Sequence, residues 1–284
     1  MKKILITGAN SYIGTSVEKW LAKEPDKYHV ETVDMRDESW KDKDFSKFDV
    51  VFHVAGIAHI KETNENKSLY YKVNRDLAYE TAKKAKAEGV KQFIFLSSMS
   101  VYGIENGIID ENTIPKPNSN YGKSKLQAEE LISSLQSDLF NIAILRPPMV
   151  YGKGCKGNYP RLARLAVLTP IFPKINNQRS MLHIDNLCEF IKMIIDFEDR
   201  GVFFPQNKDY VKTSEMVKLI AEMHGKKVKL VKIFNPLLRF LGLRIKLINK
   251  VFGNLVYEKS MSKYKVGYQI IDLRESIKIT ESRD

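Results

Sequence analysis

Five short apolar runs mark the first half of the chain: KILIT (3–7), VETVD (30–34), DVVFHVA (49–55), QFIFLS (92–97) and IAILR (142–146). Rich in β-branched residues and bounded by polar positions, they predict buried strands. Between them, NRDLAYETAKKAKAEG (74–89) and YGKSKLQAEELISSLQ (121–136) repeat apolar residues at the helical period, and the first ends on Gly89. Strands alternating with helices predict a parallel sheet covered on both faces, a doubly wound α/β fold with ligands at the carboxyl ends of the strands. Past residue 150 the pattern breaks into loops such as YGKGCKGNYP and FPKINNQRS around shorter helices. The expected organisation is a sheet domain over residues 1–150 and a smaller lobe over 151–284, interleaved with the last strands.

The chain has 284 residues, 43% of them hydrophobic, enough for a full core. Two cysteines, Cys155 and Cys188, are too few for a disulfide framework or a four-ligand zinc site, so no metal is expected and a reducing compartment is implied. The N-terminal MKKILITG starts basic, but its apolar run stops at Thr7, and no stretch approaches the ~20 apolar residues of a membrane span. A cytoplasmic protein is the expectation. Net charge is +12, and it is uneven: residues 1–150 hold 21 basic and 21 acidic residues, residues 151–284 hold 25 and 13. Residues 226–265 alone carry 11 basic residues and one acid, Glu258.

TGANSYIG (7–14) follows the first strand and opens the first helix. Glycines at 8 and 14 permit a sharp turn and a close approach of a pyrophosphate to backbone N–H groups at the positive helix end. A glycine pair alone also serves turn geometry only. Asp34, 20 residues past Gly14, stands where a carboxylate accepts from an adenosine ribose and repels a 2′-phosphate, which favours NAD. Arg36, two residues on, keeps NADP as the alternative; the plain structural role for Asp34 is a strand-end turn.

Tyr121 and Lys125 stand four residues apart, on one helix face. A free phenol with a pKa near ~10 is a poor base at neutral pH, and a fixed cation nearby favours phenolate. Y-x-x-x-K by itself is more often a solvated helix face. SSMSVYG (97–103) adds context: it follows a predicted strand and offers Ser98 and Ser100 as neutral hydroxyls able to bond a sugar hydroxyl or ketone and relay its proton. A serine-rich turn cap is the alternative role.

These motifs together resemble the extended short-chain dehydrogenase/reductase family, in particular its nucleotide-sugar epimerases and reductases of UDP-glucose 4-epimerase type. The resemblance covers about residues 1–220. TGANSYIG resembles TGxxGxxG, with Ser11 the departure; DVVFHVAG resembles a strand ending in HxAA; Asn74 of YKVN resembles the asparagine that follows it. SSMSVYG resembles SSxxVYG, RPPMVYGKG (146–154) resembles RPxxVYGPG, and NQRSMLHIDNL (177–187) resembles RxxxHVxD. The resemblance implies a Rossmann-like domain over 1–150, a substrate-binding lobe over 151–284 and an NAD cofactor. It implies cofactor contacts from Gly8, Asn10, Ser11, Tyr12, Ile13, Gly14, Asp34, Met35, Ala55, Gly56, Asn74, Tyr121, Lys125 and Pro148. Catalysis falls to Ser98, Tyr121 and Lys125. A nucleotide sugar, UDP-linked, would meet Ser98, Ser100 and Arg179, the last gripping the diphosphate, with Asn158 and Arg161 as further candidates.

Met99 and Ser100 occupy the places where the family's 4,6-dehydratases carry an Asp-Glu pair, which argues against dehydration. The expected reaction is C4 epimerisation of a UDP-linked hexose or N-acetylhexosamine through a 4-keto intermediate, in polysaccharide biosynthesis. The alternative is an NAD(P)H-dependent 4-keto-sugar reductase on the same residues; a catalytically silent dinucleotide sensor is the third. A homodimer through the helices that include the Tyr/Lys segment is implied by the family alone. The segment NPLLRFLGLRIKLINKVFGNLV (235–256) predicts a helix, with Leu237, Leu238, Leu241, Ile245, Ile248, Phe252 and Leu255 on one face and Arg239, Lys246 and Lys250 opposite. It reads either as a lobe helix with a solvated basic face or as a peripheral contact to anionic lipid, giving membrane association. No nucleic-acid reading module accompanies the charge. His53 and His59 flank the cofactor-side loop, where ordinary satisfied or solvated histidines are the plain alternative, and nothing marks Cys155 as a nucleophile.

Overall fold

The computed structural model describes residues 1–58, 60, 62–233 and 252–282. From the N-terminus the elements are β1 (Lys2–Thr7), α1 (Tyr12–Leu21), β2 (Tyr28–Val33), β3 (Val50–His53), α2 (Lys67–Tyr71), α3 (Leu77–Ala87) and β4 (Gln92–Leu96). Then come β5 (Gly107–Ile109), α4 (Asn120–Ser133), β6 (Asn141–Leu145), β7 (Met149–Tyr151), α5 (Asn158–Leu168) and β8 (Ile171–Pro173). The chain continues through β9 (Met181–His183), α6 (Ile184–Asp196), β10 (Gly201–Phe203), α7 (Thr213–Met223), β11 (Lys229–Val231), β12 (Leu255–Tyr257) and α8 (Leu273–Glu281).

Two compact units result: residues 1–103, 114–147 and 187–205 form the first, residues 104–113, 148–186 and 206–284 the second. The first unit is built on a six-stranded, all-parallel sheet of order β10-β6-β4-β3-β1-β2. β1 connects outward to β2, whereas β3 lies on its other side, so the strand order reverses between β1 and β3. In such sheets the crevice at the carboxyl ends of the two strands is where ligands bind. The central strands are buried on both faces, as runs such as Val50–His53 and Phe93–Phe95 require, and α3 and α4 cover one face through Ala78, Ala82, Ala85, Ala128 and Ile132. The Rossmann-like α/β fold expected from the pattern is the fold observed.

The second unit has three two-stranded parallel pairs, β11-β8, β12-β5 and β7-β9. Its core is rich in tyrosine. Tyr151 stacks on Tyr159 with centroids 5.3 Å apart and bonds Ser276 at 2.6 Å, which anchors α8. The predicted helix 235–256 lies outside the described residues as far as 251. Beyond that, Leu255–Tyr257 is a strand, with Leu255 opposite Gly107 and Val256 opposite Ile108, so Leu255 belongs to a ladder and not to a helix face. Long-range pairing with Gly107–Ile109 overrides the helical spacing here.

Candidate active site

At the β1–β3 reversal the chain leaves β1 through Gly8, whose φ of 96° favours glycine. A Cβ there would lie 2.9 Å from the Ala55 backbone nitrogen, so the two strand ends approach as closely as backbones can. Asn10 also takes a left-handed conformation, φ 64°. Ser11, the residue that departs from the expected glycine, is the N-cap of α1: its Oγ accepts from the Gly14 N–H at 3.2 Å. Accepting that bond leaves its hydroxyl hydrogen free to donate. Gly14 is required by packing, since a Cβ would stand 2.6 Å from Ser11 Oγ and 3.1 Å from Val54 Cγ1. Tyr12 and Ile13, both half-buried, begin the first turn of α1.

Asp34 follows β2, as expected, but its carboxylate is occupied. Arg36 Nε donates to both carboxylate oxygens, at 3.0 and 2.9 Å, and its own backbone N–H adds a bond of 2.9 Å. These bonds pull the Asp34 pKa down to about 2. The residues read as opposing preferences, one for a ribose and one for a phosphate, thus engage each other. Met35 points inward and belongs to the core cluster with Trp40 and Phe45.

Beyond β4, Ser98 caps a short 3₁₀ turn, Met99–Tyr102, accepting from the Ser100 N–H at 3.1 Å and donating to Ser100 Oγ at 3.1 Å. Burial pushes the Tyr121 phenol pKa up; the Ser98 hydroxyl pulls the other way, and Tyr70 pushes further up. Lys125, one turn along α4, is buried at 4% exposure, donates to the Leu96 carbonyl at 2.8 Å and lies 4.6 Å from the centre of the Phe95 ring. Burial lowers its pKa to about 8. The pair that helical spacing places on one face is therefore present, but the ammonium is held by a backbone carbonyl and the phenol remains protonated.

A π-helical turn, Lys72–Asp76, carries Asn74 inward to full burial. Its Oδ1 accepts from the Ile57 N–H at 2.9 Å, while Nδ2 donates to the Ile57 carbonyl at 3.1 Å and to Ser124 Oγ at 3.2 Å, tying the β3 loop to α4. Gly56 lies under it: a Cβ would meet Asn74 Oδ1 at 3.0 Å and Lys125 Nζ at 3.4 Å. His53 is buried and donates or accepts only at Nδ1, with Thr7 Oγ1 at 2.8 Å; burial holds its pKa near about 3. His59 lies outside the described residues.

Several residues that sequence reading passed over complete this region. Glu129 stands on the Tyr121–Lys125 face of α4, accepts from Ser97 Oγ and pairs with Arg146 at 2.6 Å; Arg146 Nη1 donates to Tyr102 at 2.9 Å. The i, i+4, i+8 spacing of Tyr121, Lys125 and Glu129 is the signal that would have found it. Glu62 accepts from the backbone N–H groups of Asn120 at 3.2 Å and Tyr121 at 3.1 Å, charging the N-terminus of α4 favourably.

The remaining predicted residues lie in the second unit. Pro148 is buried at the start of β7, Asn158 and Arg161 are exposed on α5, and Arg179 is half-buried. Arg179 exchanges backbone bonds with Val211 at 3.0 and 2.9 Å, and its Nη1 donates to the Gly253 carbonyl at 3.2 Å. Burial lowers its pKa. Cys155 is a buried thiol with its pKa pushed up by burial, which suits a structural role.

The model of the NAD dependent epimerase/dehydratase family matches residues 4–210. The chain belongs to that family. It is 31% identical over 250 residues to the UDP-glucose 4-epimerase of Vibrio cholerae, covering 78% of this chain and 75% of that protein. It is 27% identical over 270 residues to the N-acetyl-α-D-glucosaminyl-diphospho-ditrans,octacis-undecaprenol 4-epimerase of Escherichia coli O157:H7, 88% of this chain and 81% of that one. Among solved structures, the UDP-glucuronic acid 4-epimerase of Bacillus cereus in complex with NAD has the same fold, with TM-score 0.74 at 20% identity over 98% of this chain and 97% of that one. A dTDP-4-dehydrorhamnose reductase of Clostridium acetobutylicum gives TM-score 0.66 at 23% identity, over 81% of this chain and 82% of that one. As an epimerase/dehydratase family member this chain carries a turn that fits the family's dinucleotide: Gly8 lets β1 and the end of β3 close up at the strand-order reversal, and Ser11 keeps a donor at the helix end.

Proposed function

We propose that this protein is a C4 epimerase of a diphosphate-linked hexose or N-acetylhexosamine, with a UDP-sugar as the first substrate class and NAD as cofactor. The observation that carries the reading is the Tyr121–Lys125 pair on one face of α4, with Lys125 buried against Leu96 and Ser98 placed where it lowers the phenol pKa. Similarity to the Vibrio cholerae UDP-glucose 4-epimerase supports it.

Bound NAD supplies reversible hydride transfer at C4, so the reaction has no net redox change. The chain's own residues handle the proton. As the phenolate, Tyr121 takes the C4 hydroxyl proton, directly or through Ser98, and returns it after the 4-keto sugar has presented its other face. A phenol that burial keeps protonated cannot accept a proton, so Lys125 must leave the Leu96 carbonyl and bring its charge toward Tyr121 when the site fills, which drives the phenol proton off to solvent and leaves the phenolate. Gly8, Asn10, Ser11, Tyr12, Ile13 and Gly14 would hold the pyrophosphate; Asp34 would take the adenosine ribose once Arg36 swings aside. Met35, Ala55, Gly56, Asn74 and Pro148 would line the cofactor. Arg179 would take the substrate diphosphate, a task suited to its fork of donors, with Ser100 near the sugar and Asn158 and Arg161 on the nucleotide side.

The Escherichia coli relative is named for a lipid-linked N-acetylglucosamine, so the diphosphate partner is either a nucleoside or a polyprenol. Purified protein is therefore incubated with UDP-glucose, UDP-N-acetylglucosamine and polyprenyl-diphospho-N-acetylglucosamine, without added cofactor, and the C4 epimers are resolved. Appearance of an epimer, lost in Tyr121→Phe, supports the proposal. Stoichiometric consumption of reduced cofactor on a 4-keto sugar, with no epimer formed, would select a reductase instead.

A further inference from the structure

We propose that the second unit carries a docking surface for an anionic lipid bilayer, centred on the outer stripe of α5 and the β8–β11 pair. The inference stands apart from the choice of substrate.

At 100° per residue, Tyr159 and Ala166 of α5 point to one side and are buried, while Arg164, Leu165 and Leu168 fall on the opposite side within a single stripe. The stripe is apolar as well as charged: Leu165 is 45% exposed and Leu168 68%. Thr169 and Pro170 carry the chain straight from Leu168 into β8, where Ile171 is 46% exposed. Parallel pairing sets Lys229 beside Ile171, and β11 then runs out through Lys232 to Ile233, 80% exposed. Four large apolar side chains and three cations thus gather on one surface region of this unit. None of Arg164, Lys229 and Lys232 makes a salt bridge among the described residues.

Charge identifies the partner. Residues 151–183 and 223–233, the two described segments that supply α5, β8 and β11, contain 6 and 4 basic residues and not one Asp or Glu. On α7, Glu222 faces Lys218 at 3.7 Å and Arg274 at 3.4 Å. Protein interfaces are depleted of lysine and enriched in aromatic residues, of which this stripe has none. Leucine and isoleucine tips between cations that make no salt bridge, on segments without an acid, match a bilayer, where apolar tips enter the headgroup boundary and each cation meets a lipid phosphate. No helix among the described residues is long and apolar enough to cross a membrane, so the contact is peripheral.

The test is co-sedimentation of the full chain with phosphatidylglycerol vesicles and with phosphatidylcholine vesicles, at about 50 mM and about 500 mM salt, where the Debye length shrinks severalfold. Binding to the anionic vesicles at low salt, weakened at high salt and absent on phosphatidylcholine, is expected. The variant Arg164→Glu/Lys229→Glu/Lys232→Glu should lower vesicle affinity by at least about tenfold, and Leu168→Asn/Ile233→Asn should lower it further at high salt. A control with the same charge change on the first unit, Lys19→Glu/Lys47→Glu/Lys83→Glu, should bind as the parent does; circular dichroism confirms that each variant folds. No binding to phosphatidylglycerol, equal binding to phosphatidylcholine, or an equal loss in the control overturns the proposal. So does concentration-dependent self-association abolished by Leu168→Asn/Ile233→Asn with vesicle binding intact, which would assign the patch to a second copy of the chain.

Discussion

Glu129 lies one helical turn beyond Lys125 and closes a buried ion pair with Arg146, with side-chain exposures of 4% and 11%. Arg146 Nε donates to both carboxylate oxygens at 3.1 Å, and Ser97 donates to the same carboxylate. Arg146 also stacks over the Tyr102 ring, 5.2 Å from its centre. One carboxylate thereby joins α4, which carries Tyr121 and Lys125, to the end of β4 and the 3₁₀ turn that follows Ser98.

Removing that carboxylate strands a buried guanidinium. Glu129→Gln should lower unfolding stability by about 3–5 kcal/mol, read from urea midpoints. Because the carboxylate also favours the Lys125 ammonium, the variant should move the alkaline limb of kcat/KM to lower pH. An unchanged limb together with unchanged stability would remove Glu129 from any positioning role.

Lys125 is costly to bury. Its pKa falls from 10.5 to about 8, so between those values the unfolded chain binds a proton that the folded chain releases. Stability should therefore rise with pH from about 8 upward, and the full penalty applies below about 8. Lys125→Met should raise stability at pH 7 by roughly 2 kcal/mol, after allowance for the lost bond to Leu96, while abolishing turnover. A destabilised variant in calorimetry would contradict this.

His53 titrates in the acid range. The unfolded chain takes up its proton near pH 6.5 and the folded chain only near about 3, so stability should fall as pH falls through that window, by about 1.4 kcal/mol per unit from this group. His53→Gln should flatten that part of the stability-versus-pH curve, measured by urea unfolding at several pH values.

Tyr121→Phe should lower kcat by about 10²–10⁴-fold with the fold retained. Ser98→Ala removes the hydroxyl that pulls the phenol pKa down, so the acid limb of its pH profile should move to higher pH. An unshifted limb would place Ser98 outside the proton path.

How much of this was legible beforehand differs from residue to residue. The strands were readable because Ile4–Ile6 and Phe93–Phe95 are buried on both faces, and buried strands are continuous apolar runs. Tyr121 and Lys125 were readable because helical spacing is local. Leu255 was misassigned to a helix because its partner, Gly107, is distant in sequence and composition does not announce it. Arg146 looked like part of a loop motif; only the folded chain brings Glu129 to it.

The sequence by itself determined the alternation of strands and helices, the glycine turn after β1 and the residue types available for proton transfer, because each depends on spacing over a few residues. The tertiary structure decided which of those groups are charged and what they touch: the Lys125 ammonium on the Leu96 carbonyl, the Tyr121 phenol kept protonated, Asn74 turned inward to Ile57, and acid-free segments gathered at β8 and β11. Burial and long-range contact set pKa and partner, and neither is a property of a residue's neighbours in the chain.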